Sequence, residues 1–394
     1  MIQWSVLSSR TVEVALRGNS EEVNKNSSEL RSVRVAGRRW GICSSSNGEF
    51  HELERNAARL AGGEGIKLSD AELAVGDFKM GKGSIDEVLA LEILRDLRDN
   101  FSGLFEGIIT FEECKREIRT SDGADAVETR IATDMNVSIA GRRVASIHTG
   151  VLGGIEELER KYELVLDELS SRFKALERAK FLNPFMRGFK FKVILSKESS
   201  CSFIHEIAHR LEGDLPMELR DGSALTIYDE PAGFGGYNFD DEGVLARKRK
   251  LVEDGVVICH LNTRESAFKL CEEPGNARGL FTIPKAFQTN LVVEKGDWSI
   301  EEMISETSEG FLAEGILRAE IFGEMIRISP ELCWYIRRGE IQTPVLVNEI
   351  RIPASDALKR VVAVGKEMFE RIGFEKGFPI SEKSPPILIE ATVA

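Results

Sequence analysis

The chain has 394 residues and a formal net charge of -13 at pH 7. That length exceeds one ordinary hydrophobic core and implies two or three domains. The acidic balance excludes a general nucleic-acid binder, which needs a basic face. No run approaches the ~20 apolar residues of a membrane span, and Met1–Arg10 lacks a signal-peptide core, so the expectation is a cytoplasmic protein with no membrane or nucleic-acid partner. Six cysteines are scattered without C-x-x-C pairs. They read as reduced, packed thiols, with Cys201, Cys259 and Cys333 the ones to consider as metal ligands.

Taken in order, the N-terminal segments Thr11–Arg17, Ser32–Gly37 and Trp40–Cys43 alternate apolar and polar residues and predict strands of a half-buried antiparallel sheet. Helices are expected over 51–62 and 84–104, the second opened by a capping box from Ser84 to Glu87. From 108 to 148 the alternation returns, with a turn at Ser121-Asp122-Gly123. Residues 150–180 predict one long connecting helix whose apolar positions, Ile155, Leu158, Tyr162, Val165, Leu166, Leu169, Phe173 and Leu176, share a face. Asn183-Pro184-Phe185 ends it. A strand over 189–195 precedes a further helix, and the remainder reads as strand and turn, with an Asp254-Gly255 hairpin and helices at 300–307 and 354–372. The expected fold class is α+β. An N-terminal α+β domain would span 1–110, a hairpin region with the connecting helix 111–185, and a mostly antiparallel β domain 186–394.

The helix after 195 carries the chemistry. It reads His205-Glu206-Ile207-Ala208-His209, an H-E-x-x-H pattern. Ile204, Ile207, Ala208 and Leu211 form an apolar stripe, and His205, His209 and Glu212 a polar one beside it. Ser199 or Ser200 is positioned to cap its start and Gly213 to end it. Two imidazoles one turn apart can reach a single Zn²⁺ at ~2.0–2.1 Å, with Glu206 beside it as the base that takes a proton from metal-bound water.

The run His209–Asp214, Tyr228-Asp229-Glu230 and Gly235–Gly243 resembles the TldD/PmbA family of zinc metalloproteases, once described as modulators of DNA gyrase. Asn262–Ala267, Gly275-Asn276-Ala277-Arg278, Thr289-Asn290-Leu291, Gly296-Asp297 and Ile336–Ile341 continue it in the same order, and Arg38–Gly41 matches an early strand segment. Two departures stand out. The family usually carries H-E-x-x-x-H, whereas His205 and His209 are four apart, a spacing that suits a regular helix. Its third ligand is a cysteine near the C-terminus, and the matching stretch Arg371–Pro379 has none. On this reading that stretch offers no ligand, and the third position stays open among His260, Cys201 and Glu212.

The resemblance implies one zinc per chain, a short or unfolded peptide as substrate, bound by strand addition, and a homodimer or a heterodimer with a family relative. Tyr237, Gly235 and Gly236 are the candidates for substrate contact, and Tyr237 and His260 for the oxyanion donor. Two functions follow. One is a zinc-dependent metallopeptidase with Glu206 as general base. The alternative is a catalytically silent partner subunit whose metal site is incomplete.

Overall fold

The computed structural model of the chain describes residues 1–222 and 224–394. Strands β1 (Ile2–Arg17), β2 (Ser20–Ala36), β3 (Trp40–Ser45), β4 (Val75–Met80), β5 (Leu104–Thr120), β6 (Asp125–Ala140) and β7 (Val144–Val151) build the N-terminal sheet. Its order is β3-β2-β1-β5-β6-β4, with β7 also pairing β6. All pairings are antiparallel except β4 with β6. The β1–β2 hairpin is far longer than the expected strands, because Gly18 at φ 58 lets the chain reverse within two residues and Arg17 pairs Ser20. On one face Val12, Val14, Leu16, Ile109, Phe111 and Val137 pack against two helices.

Those helices are α2 (Glu87–Asp99) and α4 (Tyr162–Arg178); α1 (Phe50–Ala61) covers β2 and β3, and α3 (Ile155–Glu159) precedes α4. Two expectations change here. The α2 start is capped by Asp86, which accepts from the amides of Val88 and Leu89, while Ser84 donates to Glu156 instead. The single long helix is two, interrupted at Arg160-Lys161, where the Lys161 ammonium donates to the Gly150 carbonyl and turns the chain.

The C-terminal half is built on two sheets. Define β8 (Lys190–Leu195), α5 (Glu198–His209), β9 (Ile227–Asp229), β10 (Asn290–Val293), β11 (Glu309–Glu314), β12 (Arg318–Phe322), β13 (Phe369–Glu375), β14 (Phe378–Ser384) and β15 (Ile387–Val393). One sheet has ten strands, with β12 at one edge and β15-β8-β11 adjacent in its centre; the other has six and ends β9-β10-β14-β13. Helix α5 is clamped between them: Phe203, Ile204 and Ile207 share a core with Val193, Leu195, Leu291, Val293, Phe311, Ile326 and Ile328. Eleven of its twelve residues are buried.

The helix expected at 354–372 does not form. Two short 3₁₀ turns, Ala354–Asp356 and Leu358–Arg360, give way to a strand, Val361–Val364, and then β13. Three valines within four residues favour the extended chain, and Gly365 breaks any helical run.

A buried cation joins the two halves at the head of α5. The Arg172 guanidinium of α4 donates to the Ser146 carbonyl of β7 at 2.8 Å, to Glu331 at 2.9 Å, and to Glu168 and Glu198, each at 2.9 Å. Burial opposes its charge, yet the three carboxylates outweigh burial and raise its pKa. The same burial raises the Glu331 carboxyl despite Arg172. Removing the guanidinium in Arg172→Met leaves Glu198 and Glu331 without a counter-charge, Glu168 keeping Lys197, and should cost about 3–5 kcal/mol at neutral pH. A carboxyl whose pKa is higher folded than unfolded binds protons more tightly in the native state, so the deficit should shrink as pH falls. Urea titrations of both proteins at pH 7 and pH 5 measure it.

Candidate metal centre

Helix α5 starts without a side-chain cap. Its N-cap is Lys197, at φ 52, and Ser199 and Ser200 lie inside the first turn, where Ser199 donates to the Gly315 carbonyl and Ser200 to that of Lys197. Nor does Gly213 end it. The helix stops at His209, and Gly213 is needed for space: a Cβ there would stand 2.0 Å from Asn262 Oδ1.

Burial of the apolar stripe between two sheets turns His205 and His209 toward the gap between α5 and the β13–β14 hairpin. Each ring is held from behind. His205 Nδ1 lies 2.7 Å from Glu382 Oε1, and His209 Nδ1 lies 2.7 Å from Glu212 Oε1. The opposite nitrogens converge, with Nε2 to Nε2 at 3.1 Å. Into that convergence reaches Glu375, its Oε2 2.6 Å from His205 Nε2 and 3.4 Å from His209 Nε2. These three donors lie within 4.8 Å of one another. Two imidazoles and a carboxylate are a recognised zinc donor set, and a hydrogen bond from the far nitrogen of each imidazole to a carboxylate is the usual way such ligands are oriented.

The electrostatics agree with a cation. Burial pulls His205 and His209 toward neutrality, but carboxylate contacts outweigh it and raise both, His209 to about 10. Burial pushes Glu382 up, and Arg371 together with His205 holds it down at about 2. Glu375 is likewise depressed by the two histidines against its burial. Three carboxylates around two imidazoles thus favour positive charge at this spot.

Glu206 differs from them. It is 4 % exposed, and its carboxylate makes no hydrogen bond among the described residues. Burial raises its pKa against the pull of His205 and His209. It lines, with His205, His209 and Glu375, a cavity of about 780 Å³. The N-terminal sheet closes the far wall with Asn136 and His148, whose Nε2 lies 3.1 Å from Asp134 Oδ2. Edge strand β12 supplies Ala319, Glu320 and Ile321.

Other residues singled out in the sequence go elsewhere. Glu212 faces His209 Nδ1 and stands behind the ring. His260 is drawn off by Glu272, which meets its Nδ1 at 2.8 Å, and it does not line the cavity. Cys201 faces β14 and donates to the Glu382 carbonyl; it is fully buried, which raises its thiol pKa. Tyr237 is buried and donates to the Gly275 carbonyl. Gly235 and Gly236 approach their own backbone closely, at Thr289 and Pro231, where a Cβ would meet carbonyl oxygens at 2.4 and 1.7 Å. The stretch Arg371–Pro379, read as offering no ligand, contributes Glu375. Its signal was present in the sequence: Glu375-Lys376-Gly377-Phe378 is a hairpin turn, with Lys376 at φ 52 and Gly377 at φ 81.

Comparison with known proteins adds to this geometry. The sequence profile of the PmbA/TldA metallopeptidase C-terminal domain matches residues 222–394. A protein of Methanothermobacter thermautotrophicus named a metalloprotease is 32% identical over 292 residues, a match covering 67% of this chain and 63% of that protein, just under two thirds of its length. A Methanocaldococcus jannaschii metalloprotease is 27% identical over 91% of this chain and 87% of its own. A solved structure from Thermotoga maritima, described as a candidate modulator of a DNA gyrase, superposes with a TM-score of 0.78 at 17% identity, over 100% of this chain and 96% of that one. At that identity the likeness bears on the fold alone. Residues 222–394 thus match the C-terminal domain of the PmbA/TldA metallopeptidases, and a relative named a metalloprotease aligns along nearly all of the chain.

Proposed function

We propose that the chain is a zinc-dependent peptidase acting on short or unfolded peptides, with His205, His209 and Glu375 as ligands and Glu206 as general base. The observation that carries it is the convergence of those four side chains on one cavity. Zinc, when bound, supplies the Lewis acidity that polarises a peptide carbonyl and acidifies water. The protein's own groups do the rest. Glu206, buried and without a hydrogen-bond partner, takes a proton from the attacking water onto its carboxylate and passes it to the leaving amine. Glu382 and Glu212 keep the imidazole Nδ1 atoms protonated, so that Nε2 carries the lone pair. The free edge of β12 offers backbone groups with which an extended peptide can pair beside His205, a mode that reads main chain more than side chain.

The alternative of a silent partner subunit rested on a missing third ligand, and Glu375 provides a candidate for it. A homodimer or a heterodimer with a relative remains compatible with this reading.

Three outcomes follow for protein purified without chelator. About one zinc per chain should be found by elemental analysis, and both metal and peptide cleavage should be lost on dialysis against a chelator or in His205→Ala. Glu206→Gln should retain metal while cleavage of an unstructured peptide falls by about 10² to 10⁴. Glu375→Ala should lower zinc affinity by at least about tenfold, whereas Glu375→Cys, restoring the family's usual ligand type, should keep it. Metal-free, well-folded wild-type protein would sink the reading.

A further inference from the structure

A second cavity, of about 310 Å³, lies on the other side of the β13–β14 turn from Glu375. Gly377, Phe378 and Pro379 form part of its wall, and the N-terminal sheet forms another part with Arg116 and Arg130. Both of these arginines are paired. Arg116 contacts Glu128 and Asp241, and Arg130 contacts Glu112, so all three carboxylates in the lining already hold a cation.

Arg278 is the exception. It is 5 % exposed, and among the described residues no carboxylate oxygen lies within 4.0 Å of its guanidinium nitrogens. Its Nη2 donates to the Gly235 carbonyl at 2.5 Å and to that of Pro379 at 3.5 Å, while among the described residues Nε has no partner and Nη1 makes no hydrogen bond. The guanidinium is stacked over the Tyr237 ring at 4.5 Å and lies 5.5 Å from that of Phe378. Arginine keeps its charge when buried, and an unpaired buried charge is costly. Here that cost is borne at the wall of a cavity also lined by Phe281, an arrangement that suits an anion with an apolar body.

We propose that this cavity binds a small carboxylate carrying an aromatic or branched apolar group, with Arg278 pairing the carboxylate and the Phe281–Phe378 wall holding the body. The planar guanidinium matches a carboxylate in shape, and its stacking on Tyr237 fixes its orientation in advance. Two sources present this chemistry: the C-terminus of a short peptide, and a free aryl or alkyl carboxylic acid. The proposal does not depend on metal at the neighbouring site.

The test uses full-length His205→Ala protein, so that no probe can bind through the candidate zinc ligands. N-acetylphenylalanine, its neutral amide and 3-phenylpropionate are compared by calorimetry and thermal denaturation. The acid should bind with one site per chain and raise the melting temperature, and the amide should do neither at the same concentration. Adding Arg278→Gln should weaken the acid by about tenfold or more. Adding Phe281→Glu, which supplies an internal carboxylate, should abolish binding even if the Arg278 variant does not fold. Binding of 3-phenylpropionate as tight as that of N-acetylphenylalanine supports the cavity with a free acid as occupant; binding of N-acetylphenylalanine alone supports it with a peptide C-terminus. Equal effects of acid and amide, no effect of either, or acid binding undiminished by Phe281→Glu overturns the proposal.

Discussion

The placement of the histidine-bearing helix depends on a buried guanidinium at its head. Arg172 projects from the helix that leaves the N-terminal sheet and reaches a carbonyl of that sheet, a carboxylate at the start of α5 and a carboxylate, Glu331, in the bend just before a strand of the ten-stranded sheet, Leu332–Arg337. It therefore fixes the entry of the histidine-bearing helix relative to the wall that carries His148. Arg172 and Glu198 also line the large cavity, so the same contact that joins the halves shapes the space between them. Lys197 contributes from the helix N-cap, bridging Glu168 and Glu314 at 2.8 and 3.0 Å.

Around this anchor the candidate metal centre is assembled by layers. The apolar stripe of α5 is consumed by packing between two sheets, and what remains points at a hairpin. Behind each imidazole stands an acid that sets which nitrogen faces the cavity. Behind Glu382 stands Arg371, whose guanidinium also reaches the Ser202 hydroxyl on α5. The chain of contacts from helix to hairpin is thus ionic as well as apolar, and among the described residues it leaves Glu206 without a hydrogen-bond or ion-pair partner.

The sequence made α5 legible because its periodicity and its chemistry coincide: one stripe of Ile204, Ile207 and Ala208, one of His205 and His209. The alternating strands of the N-terminal sheet were equally plain, although the largely polar stretch from Ser20 to Glu29, exposed along its length, gave no sign of being paired throughout with β1. Local signals misled where tertiary partners decide. Ser84 and Glu87 spell a capping box, but Glu156 captures the serine. Serines at the head of α5 look like caps, but the Gly315 carbonyl claims one of them. The third donor was hidden for a different reason. Reading 354–372 as helix placed Glu375 just past a helix end, and looking for a cysteine in that stretch passed over a carboxylate that a two-residue turn brings to the histidines.

The separation of the donors along the chain carries a consequence for biosynthesis. His205 and Glu375 are 170 positions apart, and the latter lies on a strand that has no place until the six-stranded sheet is nearly whole. Until position 375 has been made, the nascent polypeptide holds only the pair of imidazoles of this candidate set. The three candidate donors therefore meet only once β13 and β14 have docked beside β10, so chain order itself separates the imidazoles from their carboxylate until late in synthesis.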